Sequence, residues 1–534
     1  MKKITALLLA FALLFGFAAC NGGKPQTPDT SQGTTTNSVT DKENKNPDNT
    51  LFNLIDIYAA DYNKYEWDNS NNILLSNVNV QTLHLSDEAS KKYPKLDNAF
   101  KKLNEEKTEL ADEELESITG LALDYLSYGD SEYFNGYTYE SCYYLQRADE
   151  MIVSVRSDWS SFSGGVHPNY GAAGYNFDSK TGEEIRLSDV VNDTSVLPKL
   201  IADNIKAQEV GEYLGSLEDM LKDYKTEDFS WTVNYQSITF YFSPYDIASF
   251  AAGLITATFY FDDYPELFNE KYTEAPASYA IALPANNDIS VDLNGKDGKK
   301  DVLSYNANFE SEDQIISSIT VNLNGKQFDF DGLEAFEDSV YLVFIQGHYY
   351  IYYNIYGFND YSEILVLELT ENNIKESDVF FNGKFDYFYI YGEGENEVYT
   401  AKLMFNNPAE FTLTSRCDLL GTYMGRKTYL SDPETGMPES AEKSYKVEFY
   451  TEFTLVSKIP LSVKMLPGER EETLPAGTGF EIIGTDGKNY VDTRLADDRE
   501  CRIYASRNND EYDYDVYING VSEYDVFEEI MYAG

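Results

Sequence analysis

Histidine, tryptophan and cysteine are scarce in this chain, which has three, three and four of them among 534 residues. A catalytic zinc site commonly uses several histidines among its three protein ligands, and His84, His167 and His348 are far apart in the sequence. The cysteines are Cys20, Cys142, Cys417 and Cys501. Their wide spacing predicts neither a disulfide framework nor a zinc cluster, although it leaves the pairing of two of them open.

Basic residues are also few, with 41 lysines and arginines against 91 acidic residues and a formal net charge of -50. Binding to nucleic-acid phosphates needs clustered lysine and arginine, so we expect no nucleic-acid partner. A strongly acidic surface attracts cationic partners, although it can also serve solubility alone. The 42% hydrophobic content predicts a globular protein rather than a disordered one.

The N-terminus carries the features of a secretion signal. Lys2 and Lys3 precede a mostly apolar stretch at residues 4–15, and small residues lead to Cys20. The stretch resembles the bacterial lipoprotein signal, which implies cleavage before Cys20 and attachment of lipid to its sulfur. Residues 21–50 have almost no apolar side chains and predict a solvated tether. We therefore expect an anchored protein that faces the outside of the cell membrane.

Beyond the tether, helical and strand patterns alternate along residues 51–272. Apolar residues at helical spacing predict two amphipathic helices between Pro94 and Leu126, and further helices between Leu197 and Leu221. Alternating runs predict antiparallel strands, including a hairpin of residues 175–178 and 185–187. Helices grouped beside antiparallel strands predict an α+β N-terminal domain.

Two motifs in this region carry a resemblance to a known family. They are "GGVHPNYGAAGYNFDSKTGEEIRLSDV", from Gly164 onward, and "SPYDIASFAAG", from Ser243 onward. They resemble the extracellular domain of the RsiV family of lysozyme-sensing anti-sigma factors, a module that also occurs beside the catalytic domain of the deacetylase PdaC. The resemblance covers residues 75–270. It implies binding of a lysozyme or another muramidase, but neither the anti-sigma role nor deacetylation.

The loop around His167 is the candidate binding segment, with Ser163, Gly164, Gly165 and Asn169 as its other members. The glycines permit backbone conformations that other residues resist, and the following proline favours an extended conformation at His167. We predict that His167 is a structural residue of the turn. Direct contact with a ligand and a catalytic role are the alternatives.

A second candidate site lies in "ISVDLNGKDGKKDVLSY", residues 289–305. Asp292, Asn294, Asp297 and Asp301 supply oxygen donors in a short loop that contains glycine, which suits Ca²⁺. The loop resembles the calcium loop of FG-GAP repeats, with Lys296 inserted. The sequence therefore leaves two interpretations, a calcium site or an acidic hairpin turn. No other cofactor is indicated.

The remainder of the chain is rich in strands. Residues 273–450 alternate apolar and aromatic side chains, which predicts an all-β region, either a sandwich or a partial propeller. Residues 451–534 resemble a small SH3-like β-barrel, a module that implies binding of peptidoglycan peptides or docking on neighbouring domains.

Together these features predict a binding protein of the bacterial envelope rather than an enzyme. Its expected ligand is a macromolecule associated with the cell wall, such as a lysozyme or peptidoglycan. A structural scaffold without its own ligand is the first alternative. A peptidoglycan hydrolase or deacetylase that uses carboxylates and His167 is the second, although paired carboxylates are too common among 91 acidic residues to mark a site.

Overall fold

The computed structural model describes most of the chain beyond the predicted tether. The described residues are 52–70, 72–128, 134–209, 213–293, 299–310, 315–357, 361–377, 380–391, 398–447, 454–468, 470–507 and 515–532. Cys20 and the predicted signal and tether lie outside them. Within the described part of the chain, no helix combines the length and apolar character needed to cross a membrane.

A seven-stranded sheet, which we call the central sheet, organises the N-terminal half. In spatial order its strands are Tyr387–Tyr391, Val398–Met404, Ile57–Asp68, Ile73–Leu85, Tyr137–Ala148, Val153–Phe162 and Asn169–Phe177. The pairing is antiparallel except between the fourth and fifth strands, which run parallel. A parallel pair needs a long crossover, and here a helix provides it.

One continuous helix, Pro94–Ser127, forms this crossover after a short helix, Asp87–Lys92. The two helices predicted in this segment were wrong, because the residues between Leu103 and Leu115 are good helix formers without an internal proline. Pro94 begins the long helix as expected. Its buried residues lie at helical spacing and are Leu96, Phe100, Leu103, Ala111, Leu115, Ile118 and Ala122.

A smaller α/β unit follows the central sheet. Its helices are Leu187–Val190, Leu197–Ala207 and Leu217–Lys222, and its strands are Ser230–Val233, Ser237–Phe242 and Ile255–Tyr260. Short 3-10 turns are Thr194–Val196, Thr226–Asp228, Phe250–Ala252 and Glu270–Tyr272. The predicted strand at residues 185–187 was wrong, since only Glu184 bridges to Phe177 and a helix begins at Leu187.

Two antiparallel sheets form the middle of the chain. One contains Ile289–Val291, Asp301–Phe309, Ile316–Leu323 and Lys326–Ala335. The other contains Asn373–Glu376, Ser362–Thr370, His348–Tyr356, Glu337–Ile345 and Ser278–Ala282, with Phe381–Asn382 beside it. Residues of both sheets, such as Leu303 and Ile351, share one apolar core. We call this core, which lies between the two sheets, the sandwich core.

The C-terminal strands belong to an eleven-stranded sheet. They are Lys384–Phe385, Phe411–Asp418, Thr422–Ser431, Pro438–Glu439, Tyr445–Lys446, Thr454–Val456, Leu461–Leu466, Arg470–Leu474, Gly479–Thr485, Tyr490–Arg494 and Glu500–Tyr504. Three short strands, Ser506–Arg507, Val516–Ile518 and Val521–Ser522, and the helix Glu523–Val526 complete the chain. The strands do not close into a barrel within the described residues, which corrects the expected closed barrel. Tyr445–Lys446 pairs with Gly479–Thr485 and so links these strands to the preceding ones.

The same sheets join segments that are distant in the sequence. Residues 57–60 pair with residues 401–404 in the central sheet, although the sequence places a domain boundary near residue 272. The sheet that contains His348–Tyr356 packs against these paired strands. The contact is a shared apolar cluster that includes Tyr58, Tyr352 and Leu403. The architecture is therefore an α+β N-terminal part followed by a strand-rich region, as the sequence predicts at this level.

Asp338 is a partly buried carboxyl at the edge of the sandwich core. Burial raises its pKa to about 6, the neighbouring Glu337 carboxylate adds to this effect, and the Tyr353 hydroxyl opposes it. A carboxyl whose folded pKa exceeds its unfolded value stabilises the fold most when it is protonated. The contribution is therefore full below about pH 4 and is lost as the pH rises towards 6.

Asp338→Asn is expected to stabilise the protein at neutral pH, because the amide cannot ionise in the core. At pH 7.5 we expect a gain of about 1 to 3 kcal/mol in the free energy of unfolding. Urea titrations of both proteins at pH 4 and pH 7.5 measure the difference. A gain of the same size at both pH values would contradict the assignment to Asp338.

Candidate binding surface

The loop 163–168 connects the last two strands of the central sheet, whose pairing ends at Ser161 and Asn169. Gly164 and Gly165 have φ angles of 90° and 105°, which glycine adopts at no steric cost. A Cβ atom on Gly164 would lie 2.8 Å from the hydroxyl of Tyr137. The first glycine is therefore required both for its conformation and for this close approach.

His167 is exposed at the tip of this loop, while the following Pro168 is buried. Its ring stacks on Phe250, with 4.0 Å between the ring centroids and 6° between the planes. Its Nδ1 lies 3.0 Å from the carbonyl oxygen of Pro168. A carbonyl oxygen only accepts, so Nδ1 is the donor in this hydrogen bond. The side chain is thus held in place at the surface.

Two tyrosines complete the arrangement around Phe250. Tyr170 meets the Phe250 ring edge-on at 5.9 Å, and Tyr245 lies 5.8 Å from it. Tyr245 has a φ of 70°, in the left-handed region that costs a residue with a side chain about 1–3 kcal/mol. Its side chain is nevertheless 46% exposed.

We call Val166, His167, Tyr170, Tyr245 and Phe250 the aromatic surface. Val166 is fully exposed beside His167. Stacked rings with exposed faces can pack against apolar side chains of a protein or against the face of a sugar ring.

The three histidines lie in separate parts of the fold. Among the described residues, no group of three or more His, Cys, Asp or Glu side chains is placed to hold a metal ion. His84 lies in a strand of the central sheet, where burial lowers its pKa to about 4, and His348 is exposed at the start of a sandwich strand. The structure therefore does not bring the three histidines together.

The cysteines of the described residues are free thiols. They are Cys142, Cys417 and Cys501. Burial, with the nearby Asp158 carboxylate, raises the pKa of Cys142 to about 12. Burial likewise raises the pKa of Cys417 to about 12, and Asp418 adds to the effect. A nucleophilic cysteine needs a lowered pKa, so these thiols are not activated.

Two residues of the aromatic surface, Tyr245 and Phe250, lie in a segment that matches a known family. Residues 186–262 match a family model described as a protein of unknown function, DUF3298. Residues 186–262 are a DUF3298 domain. Tyr245 and Phe250 belong to this domain, whereas the loop that carries His167 precedes it. The aromatic surface is therefore built jointly by the DUF3298 domain and the central sheet.

Solved structures of this family are similar to part of the chain. A DUF3298 family member from Bacteroides fragilis is 15% identical, with 41% of this chain and 94% of that chain covered and a TM-score of 0.31. A DUF3298 family protein from Pseudomonas aeruginosa is also 15% identical, with 41% and 97% covered and a TM-score of 0.30. No curated protein matches the sequence.

Side-chain hydrogen bonds fix the DUF3298 domain on the last strand of the central sheet. The Ser243 hydroxyl accepts a hydrogen bond from the backbone N–H of Ala172 at 3.3 Å. The Asn176 amide donates to the carbonyl of Trp231 at 2.8 Å. Ser243 directly precedes the segment that contains Tyr245 and Phe250. These hydrogen bonds hold Tyr245 and Phe250 in place beside the loop that carries His167.

The structure gives the predicted binding residues different positions. Ser163 and His167 are exposed, Gly164 and Gly165 shape the turn, and Asn169 begins the next strand. Their role in binding stays a prediction. The sequence reasoning did not include Tyr170, Tyr245 or Phe250 in the site. The motif "SPYDIASFAAG" contains Tyr245 and Phe250, and these aromatic residues in a loop were the sequence feature that could have indicated them.

The candidate calcium loop is only partly described, since Asn294 and Asp297 lie outside the described residues. The Asp292 carboxylate accepts from the ammonium of Lys300 at 3.3 Å. The carboxylate of Asp301 accepts from the backbone N–H of Leu293 and from the amide of Asn324. Both described carboxylates thus already have donors, and Lys300 places a positive charge beside Asp292. Calcium binding here stays a prediction.

Proposed function

We propose that this chain is a lipid-anchored binding protein on the outside of the bacterial cell membrane. In this proposal the aromatic surface recognises a macromolecule associated with the cell wall, with lysozyme as the first candidate. The observation that carries the proposal is the set of stacked rings that the DUF3298 domain and the His167 loop build together, with His167 and Tyr245 exposed at the surface. Anchoring rests on Cys20 and the signal-like N-terminus.

The charge of the protein supports a basic ligand. The formal net charge of -50 creates a field that accelerates encounter with a cation and weakens as salt is added. The resemblance to the RsiV extracellular domain supports lysozyme in particular, because lysozymes are basic proteins. A basic ligand could therefore combine electrostatic attraction with packing of its own side chains on the aromatic surface.

Retention on the immobilised full chain tests this proposal. Egg-white lysozyme and cell-wall fragments are passed over it at about 20 mM and about 500 mM salt, which change the screening length severalfold. We expect retention of lysozyme at low salt and weaker retention at high salt. Lysozyme with acetylated lysines is the control, and it should be retained less.

The same experiment separates the alternatives. No retention of either probe at low salt would contradict binding and would favour a structural scaffold. Release of acetate or muropeptides from the wall fragments would instead favour an enzyme. In that case His167→Ala decides whether the histidine takes part, because release that survives the substitution excludes an essential chemical role for His167.

A further inference from the structure

The long helix Pro94–Ser127 and Tyr128, which directly follows it, expose a stripe of large apolar side chains between residues 110 and 128. Leu110, Leu121 and Tyr128 are eleven and seven residues apart, a spacing that places them on one side of a helix. They are 37%, 48% and 81% exposed. Tyr125 lies beside them and stacks on Phe134 at 5.7 Å. A stripe of this kind differs from a single exposed leucine, which needs no explanation.

Carboxylates are abundant along this part of the helix. Along residues 105–124 they are Glu105, Glu106, Glu109, Asp112, Glu113, Glu114, Glu116 and Asp124, whereas Lys107 is the one basic residue. Within the described structure, Lys64 pairs with Asp112 and Lys102 with Glu106. The remaining carboxylates leave this part of the helix strongly negative. Glu106, Glu113, Glu114 and Asp124 lie within about 60° of Leu110 around the helix axis, so carboxylates flank the apolar side chains.

We propose that this face binds a cationic amphipathic helix, supplied by another protein or by a peptide. Leucine-like side chains of the partner pack on Leu110, Leu121 and Tyr128, and its lysines or arginines meet the adjacent carboxylates. An amphipathic helix lying along an apolar stripe is a common mode of peptide recognition. An anionic lipid surface is repelled by the same carboxylates. The site uses other residues than the aromatic surface and goes beyond the proposed function.

Binding through charge alone and binding of an amphipathic helix lead to different expected affinities. A polycation without an apolar face can pair with the carboxylates but leaves Leu121 and Tyr128 in water. An amphipathic helix also buries these side chains, which contributes about 25 cal/mol for each Å² of apolar surface removed from water. The stripe should therefore discriminate between two peptides of the same composition that differ only in pattern.

The probe is a fluorescent peptide of about 18 leucine and lysine residues in an amphipathic helical pattern, long enough for five turns. Its scrambled counterpart has the same composition and charge. Fluorescence anisotropy with the full chain is expected to show the patterned peptide binding about tenfold more tightly than the scrambled one, a difference near 1.4 kcal/mol. Equal affinities would overturn the proposal and leave general charge attraction.

Variants on the same helix locate the contact. Leu121→Ser combined with Tyr128→Ser is expected to weaken binding of the patterned peptide by about tenfold. Leu123→Ser is the matched control, because Leu123 is 52% exposed but two residues, and so about 200°, around the helix from Leu121. Equal weakening by the control variant would overturn the proposal. Unchanged melting temperatures show that all the variants are folded.

Discussion

Gly174→Ala is expected to destabilise the protein by about 3 kcal/mol or more, because the added atom has no space. Gly174 lies in the last strand of the central sheet, and its N–H donates to the hydroxyl of Ser230 at 3.0 Å. A Cβ atom there would lie 1.8 Å from the carbonyl oxygen of Trp231, which belongs to the backbone of the DUF3298 domain. The domain would have to move away from the sheet.

That movement would break the hydrogen bonds of Ser243 with Ala172 and of Asn176 with Trp231. Urea titration followed by tryptophan fluorescence measures the effect, since Trp231 itself lies at the contact. Gly120→Ala in the long helix is the matched control, because nothing lies within 4 Å of its Cβ position. It should stabilise the protein by about 0.5–1 kcal/mol. A loss below about 1 kcal/mol for Gly174→Ala would contradict the close packing of the two units.

Arg147→Ala is expected to cost about 3–5 kcal/mol of stability, because it leaves a buried carboxylate without its counter-charge. Arg147 and Asp149 have exposures of 0% and 1%. Arg147 Nε donates to Asp149 at 2.7 Å, Nη1 donates to the carbonyl of Tyr272 at 2.6 Å, and the guanidinium lies over the Tyr235 ring. The pair thus joins the central sheet to the DUF3298 domain and to the segment after it.

A second variant distinguishes the lost charge pair from lost packing. Arg147→Met with Asp149→Asn removes both charges and keeps most of the volume, so it should recover more than half of the lost stability. Lys102→Ala, which breaks an exposed ion pair with Glu106, should leave the unfolding midpoint unchanged. If the double variant is no more stable than Arg147→Ala, the cost comes from packing and the electrostatic explanation is wrong.

Local patterns predicted local structure well in the N-terminal half. The apolar spacing of Leu96, Phe100 and Leu103 identified the buried face of the long helix, and Pro94 identified its start. The expected break between two helices did not occur, because the strongly charged residues near 105–114 are also good helix formers. Most of these charged side chains face solvent and do not interrupt the helix.

Pairings between distant segments could not be predicted in the same way. The contact between residues 57–60 and 401–404 joins segments more than 300 residues apart, and alternation within a strand does not specify its partner. The prediction of a closed C-terminal barrel was wrong for a similar reason. Strands joined by short turns can close on themselves or continue a neighbouring sheet, and here the short strand Tyr445–Lys446 pairs on both sides and connects them to the preceding strands.

The candidate site was half predictable. The glycines and Pro168 indicated the turn at His167, and the turn is present. The stacking of His167 on Phe250 depends on two motifs about 80 residues apart that meet only through the docking of the DUF3298 domain. Sequence spacing alone carries no information about such a meeting. The three-dimensional contact therefore adds the residues on which binding can be tested.

The affinity for lysozyme of the parent chain and of two surface variants tests the proposed role of the aromatic surface most directly. Phe250→Ala and Tyr245→Ala remove its rings, and Tyr65→Ala removes a tyrosine of similar exposure, 44%, from a strand of the central sheet. We expect about tenfold weaker binding for each of the two surface variants, a typical cost of truncating an aromatic contact, and no change for Tyr65→Ala. Equal affinities for all four proteins would contradict recognition through the aromatic surface.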